Sequence, residues 1–167
     1  MLIELISPPT NPVSVGSESE WVRTERELGI RLPTDFHDFI KSYGSGLLGN
    51  FYWVWNPYLA EFVEQVNEIS KIENQCKATL PEYYPFKIFP DSPGFLPCAS
   101  DDNGNYYGWL TKGNPDQWTT LTHEVRGSGF KEYEMTFTEY LLAVFKREIK
   151  PLAGGYPLDS DFIFLPG

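Results

Sequence analysis

Phe95-Leu96-Pro97-Cys98-Ala99-Ser100-Asp101-Asp102-Asn103-Gly104-Asn105-Tyr106-Tyr107-Gly108-Trp109-Leu110-Thr111 carries the strongest local folding instruction in the chain. At its centre, Asn103-Gly104 tolerates the positive φ angles of a tight type I′ turn, so the flanking segments are expected to pair as antiparallel strands. Side chains alternate along a strand, which sends Tyr107 and Trp109 to one face and Tyr106 and Leu110 to the other. Both faces carry apolar bulk. Such a strand belongs in the middle of a sheet, with the rest of the domain built around it.

Working outward, Gly113-Asn114-Pro115-Asp116 is a turn into a strand over residues 118–125, and Gly127-Ser128-Gly129 turns into another over 130–135. Upstream, a short strand is expected over 86–89, and Phe51-Tyr52-Trp53-Val54-Trp55 has strong strand character. Helices frame these strands. Ser17 and Glu20 have capping-box spacing, Trp21, Thr24 and Leu28 recur helically, and Gly29 stops the run. Thr34 is expected to cap a second helix with a stripe of Phe36, Phe39, Ile40 and Tyr43, ended by Gly44. Gly44-Ser45-Gly46 and Gly49 read as a flexible connection. Asn56-Pro57 should open a long amphipathic helix with Leu59, Phe62, Val63, Val66 and Ile69 inward, and Glu61, Glu64, Glu68, Lys71 and Glu73 mostly off that stripe. Thr136 and Glu139 repeat the capping-box spacing before a last helix through Tyr140, Leu141, Val144 and Phe145.

The expected class is therefore α+β, a mostly antiparallel sheet with helices packed on it. At 167 residues, one domain spanning 1–167 is the simplest division. Residues 1–16 read as an extended amino-terminal extension, and residues 151–167 as a tail whose Phe162-Ile163-Phe164-Leu165 is too apolar to hang free.

Twelve Phe, ten Tyr and five Trp suit a sheet with large flat side chains on its faces. The net charge of −10 argues against nucleic acid as a direct partner, because phosphate binding relies on Lys and Arg, and it makes a basic protein partner easier to accommodate. The first residues lack a secretory signal and no segment reaches membrane-spanning length, so a cytoplasmic protein that engages no membrane is expected.

Chemistry-bearing patterns are sparse. Cys76 and Cys98 form no C-x-x-C pair and have no histidine cluster nearby, so two buried reduced thiols are expected. His37 lies off its helix stripe and reads as a solvated surface residue. His123 and the adjacent Glu124 face opposite ways on one strand, so they cannot act as an acid/base pair. Asp101-Asp102-Asn103-Gly104 has the oxygens of a calcium loop without its spacing, and a hairpin turn explains it. Gly44-Ser45-Gly46 follows a helix and precedes a strand, the reverse of a phosphate-binding loop. No catalytic residue, cofactor or metal is indicated.

The order of motifs resembles the SUKH superfamily, the Smi/Knr-type domain. The run from Leu28-Gly29-Ile30-Arg31-Leu32-Pro33 through Phe36, Phe39 and Ile40 to Tyr43-Gly44 resembles its amino-terminal signature. Phe95-Leu96-Pro97, Asn103-Gly104-Asn105, Trp109 and Asp116-Gln117-Trp118 resemble its hairpin and following strand, and Phe137-Thr138-Glu139-Tyr140-Leu141 its last helix. The resemblance covers roughly residues 17–150 and implies an α+β fold. It further implies a non-enzymatic immunity protein that neutralises a cognate bacterial toxin, often a nuclease or deaminase, by direct contact; other members of the superfamily resemble regulatory adaptors.

An acidic inhibitor can steer onto the cationic site of such a toxin, with aromatic anchors supplying affinity. Tyr52, Trp53, Trp55, Tyr106 and Trp109, with Asp101, Asp102 and Glu61 nearby, are the candidate partner-binding residues. The same aromatics also suit a sheet core, where large rings on central strands are normally buried.

Overall fold

The computed structural model describes residues 1–152 and 157–167. Seven strands form an antiparallel sheet: β1 (Gly46–Leu48), β2 (Tyr52–Val54), β4 (Gly94–Asp101), β5 (Tyr106–Leu110), β6 (Thr119–Glu124), β7 (Gly129–Tyr133) and β8 (Phe164–Pro166), ordered β7-β6-β5-β4-β2-β1-β8. An eighth, β3 (Lys87–Ile88), runs parallel to the start of β4, on the edge that β2 occupies further along. The hairpin of β4 and β5 is central, as its two apolar faces require.

Its turn differs from the expected type I′. Gly104 has φ +78°, but Asn103 is not among the residues with positive φ. The Gly104 amide donates to the Asp101 carbonyl at 2.9 Å, which makes a type I turn centred on Asp102-Asn103 with glycine in the left-handed position after it. Asp101 decides the difference. Its carboxylate turns inward and accepts from the Asn103 and Asn105 amides at 2.9 and 3.0 Å, the Asn105 side chain at 2.9 Å and the Tyr107 hydroxyl at 2.7 Å.

Helices cover the two faces unequally. On the Tyr107/Trp109 face lie α3 (Thr34–Tyr43) and α5 (Phe137–Phe145), with α2 (Glu18–Leu28) against α3 and α1 (Leu2–Leu5) against α5. Phe36 packs edge-on to Trp109 with centroids 4.9 Å apart, and Phe137 touches both rings. On the Tyr106/Leu110 face a single long helix, α4 (Glu61–Thr79), contacts β4 and β3. A smaller cluster of Tyr84, Ile88, Phe95, Leu110 and Leu121 forms beside it.

Capping follows the sequence at α2 and α5, where Ser17/Glu20 and Thr136/Glu139 make reciprocal boxes, and Gly29 closes α2 at φ +71°. Elsewhere the structure corrects the reading. Thr34 lies inside α3 behind an N-cap Pro33, and its amide is met by Asp116 Oδ1 at 2.7 Å, so a distant turn replaces the local cap. The long helix begins at Glu61 rather than at Asn56-Pro57, because Asn56 is held in a turn: its Nδ2 donates to the Ser14 carbonyl and Ser45 Oγ, and its Oδ1 accepts from the Tyr58 amide. Residues 1–16 are not simply extended; they include α1, and Val13 bridges Gly44. That bridge fixes the supposedly flexible Gly44-Ser45-Gly46, whose last residue starts β1. Cys98 is buried as expected, whereas Cys76 is exposed on α4.

At the other end of the chain β8 pairs with β1 and places Phe164 against Tyr43, with centroids 5.2 Å apart. Residues 153–156 of the expected packed tail lie outside the described residues. No helix among the described residues is long and apolar enough to cross a membrane.

Candidate functional site

Strand register places one row of side chains across the whole sheet. Leu165 stands beside Leu47, Leu47 beside Trp53, Trp53 beside Ser100, Ser100 beside Tyr106, Tyr106 beside His123 and His123 beside Phe130. All seven share the α4 face. The two ends of the row have different surroundings.

At the β6–β7 end the row is closed. His123 stacks on Phe130 with ring centroids 4.0 Å apart, and its Nδ1 lies 3.0 Å from a Glu73 carboxylate oxygen. Both side chains are almost wholly buried, and the contact is close without the alignment of a hydrogen bond. Tyr84 packs edge-on to the His123 ring. Burial, then the adjacent Glu73 carboxylate, pushes the Tyr84 hydroxyl well above its ordinary value. Glu73 is the carboxylate that sequence reasoning missed. It was placed off the helix stripe, yet Phe62, Val66, Ser70 and Glu73 form the buried line of α4, spaced four, four and three residues apart. That spacing is the signal that could have found it.

At the β2–β1–β8 end the row is open, because α4 passes over only part of the sheet. Trp53 is 47% exposed and Leu165 46% exposed. The Trp53 indole is nonetheless held: Nε1 donates to Asp102 Oδ1 at 2.8 Å, linking β2 to the tip of the central hairpin. Beside it runs a groove of about 480 Å³, lined among others by Trp53, Trp55, Asn56, Leu59, Gln65 and Ser100, with no lysine or arginine in its lining.

The sequence-predicted partner-binding residues separate on this geometry. Trp53, Asp102 and Glu61 are exposed, and Tyr106 is half-buried. Burial, then Glu73 and Glu68, raises the Tyr106 hydroxyl above its usual range. The other four are interior. Trp109 is fully buried among Phe36, Trp118 and Phe137, and Tyr52 points into the same core, edge-on to Tyr107 at 5.2 Å. Asp101 is buried inside the turn, and Trp55 lies edge-on to Tyr106 with Nε1 donating to Ser100 Oγ at 3.3 Å. As folded, Tyr52, Asp101 and Trp109 cannot present a side chain to a partner, whereas Trp55, though almost wholly buried, still lines one wall of the groove. The structure adds Leu47, Leu59, Gln65 and Leu165 at the open end, brought there by strand register and by the turn before α4.

His37 also departs from its reading. It is half-buried and edge-on to Trp21 with centroids 4.4 Å apart, its Nε2 3.2 Å from the Tyr58 hydroxyl and 3.4 Å from Glu18.

The sequence model of the SMI1 / KNR4 family (SUKH-1) matches residues 16–143, more than half of the chain. The chain belongs to this family. A search of curated proteins finds no match. The SUKH-1 match runs from just before α2 into α5, so it takes in the central hairpin, Trp53 and the whole of α4. Leu165, the outermost member of the row, comes from β8, beyond the matched segment.

Proposed function

We propose that this SUKH-1 protein is a non-enzymatic immunity protein, which binds a cognate bacterial toxin and neutralises it by covering a functional surface. The observation that carries the reading is the open end of the row: a large aromatic, Trp53, held by a hydrogen bond and left half-exposed beside a groove. A solvent-facing tryptophan with a fixed ring is suited to anchor a protein interface, since it brings large contact area and little conformational freedom to lose. The net charge of −10 supports a basic partner, as a nuclease must be where it holds phosphates, and acidic groups around an anchor speed association with it. The buried Glu73–His123 contact is enclosed by Tyr84 and Phe130, which suits a structural role better than contact with a substrate.

Co-expression with the toxin encoded beside this gene tests the proposal. Growth should be restored, and the purified proteins should form a complex whose association slows as salt is raised. A cell that stays poisoned although the two proteins bind would overturn it.

A further inference from the structure

We infer that the open end of the row is a receptor for an arginine side chain of the partner, its guanidinium lying over the Trp53 indole and paired with the Asp102 carboxylate. This rests on the immunity reading for the partner's identity, though not for the chemistry of the site.

Several features converge on that ligand. The indole face attracts cations, arginine more often than lysine, because a planar guanidinium stacks on the ring while its fork meets a carboxylate. Asp102 is already oriented. Its Oδ1 accepts from Trp53 Nε1 at 2.8 Å, so carboxylate and ring are fixed relative to each other, and Oδ2 has no hydrogen bond among the described residues. Beside the ring, the groove offers apolar surface from Trp53, Trp55 and Leu59, enough to cover the aliphatic stem of a long side chain.

Charge points the same way. Glu61, Gln65 and Glu68 fall at i, i+4 and i+7 on α4, so the two carboxylates stand a turn to either side of Gln65, which lines the groove. No lysine or arginine lines the groove itself; Arg126 lines the separate pocket at the hairpin tip that Asp102 shares with Glu124. A purely apolar occupant would instead leave the Asp102 carboxylate only the Trp53 N–H to meet its charge, and an anionic one would face like charges. Arginine is also the residue with which a nuclease holds phosphate, so a toxin docked this way would lose that group to its inhibitor.

The test uses the intact protein and a short capped oligo-arginine peptide, following the Trp53 indole N–H by NMR, with oligo-lysine and oligo-glutamate as comparisons. The expected result is a saturable shift of the Trp53 signal with oligo-arginine, a weaker one with oligo-lysine and none with oligo-glutamate. Asp102→Asn should weaken oligo-arginine about tenfold, whereas Asp38→Asn, on the opposite face, should leave it unchanged. A Trp53 signal that does not move, or equal binding by Asp102→Asn and the parent, overturns the inference.

Co-expression separates it from the function it rests on. If Trp53→Ala and Asp102→Asn protect cells from the toxin as well as the parent does, the arginine site is wrong and the immunity reading stands. If the parent fails to protect while the peptide still saturates Trp53, the site stands and the immunity reading falls.

Discussion

Tyr52 and Trp53 are neighbours on one short strand, yet the first is 2% exposed and the second 47%. Alternation alone sends them to opposite faces; what lies on each face sets their fates. The Tyr52 side is sealed by four helices, with Phe36, Phe39, Tyr43, Phe137, Tyr140 and Phe145 interlocking over the sheet. The Trp53 side has one helix, which closes the row at His123 and Phe130 and leaves it open at Trp53, Leu47 and Leu165. Stability thus rests mainly on one face of the sheet, and under the proposed function recognition falls to the other. A partner can contact the open end without disturbing the packing that holds the chain folded.

The largest test of this division is alkaline pH. Burial pushes the Tyr43 hydroxyl up to about 12, and burial likewise drives Tyr52, Tyr107 and Tyr140 further above the ordinary 10.0. All four lie on the sealed face. A tyrosine whose folded value is raised contributes stability that is intact below the unfolded value and is lost as pH rises toward the folded one. Each therefore removes about 1.4 kcal/mol per pH unit above 10, and cooperative unfolding by roughly pH 11 is expected. Tyrosinate absorbance should rise together with loss of far-ultraviolet circular dichroism. Ionisation of these tyrosines without unfolding would show the sealed face to be open to solvent.

Trp109→Ala probes the same face at one point. Trp109 fills the space between Phe36, Trp118 and Phe137, so its removal leaves a cavity that packed neighbours cannot collapse into. A loss of about 3–5 kcal/mol in urea unfolding is expected. A loss below about 1 kcal/mol would mean that stability resides elsewhere.

These interior residues were largely legible in the sequence, because the signals for them are local. Alternation in Tyr106-Tyr107-Gly108-Trp109 fixed the two faces, and the Phe36/Phe39/Ile40/Tyr43 spacing fixed the stripe of α3. Where a residue outside the recognised motif supplies the partner, the reading failed. The α3 terminus is met by Asp116, and the inward carboxylate of Asp101 selects a turn that Asn103-Gly104 alone does not specify. The candidate site suffered most. Whether Trp53 or Trp55 is exposed depends on how far α4 extends over one face of the sheet, and Trp109 is buried because α3 and α5 cover the other; no local pattern encodes either.

On the α4 face, the Glu73–His123 contact is the corresponding point of closure. Glu73→Ala leaves His123 enclosed without its carboxylate and should cost about 3 kcal/mol. Because the pair is not an aligned hydrogen bond, its attraction offsets desolvation poorly. Combining Glu73→Leu with His123→Phe should therefore recover much of the loss, the new ring stacking on Phe130 as the imidazole does. Thermal unfolding of the single and double variants measures the coupling. Recovery would show that this end of the row needs only to be filled. Failure would show that the polar pair itself holds α4 in place.

The smallest effect on folding should come from Trp53→Ala, and that is what makes it the sharpest comparison with Tyr52→Ala. Half of the Trp53 ring already faces water, and the hydrogen bond it surrenders is an exposed one to Asp102, which water can replace. Its unfolding free energy should change by only about 0.5 kcal/mol, whereas Tyr52→Ala opens the core and should cost about 3 kcal/mol or more. Toxin binding should respond in the opposite sense. Losing an anchor of this kind costs about 2 kcal/mol, near thirtyfold in affinity, and the loss should be read mainly in the dissociation rate. If Trp53→Ala instead destabilises as much as Tyr52→Ala, the open end of the row belongs to the core, and the partner must use another surface.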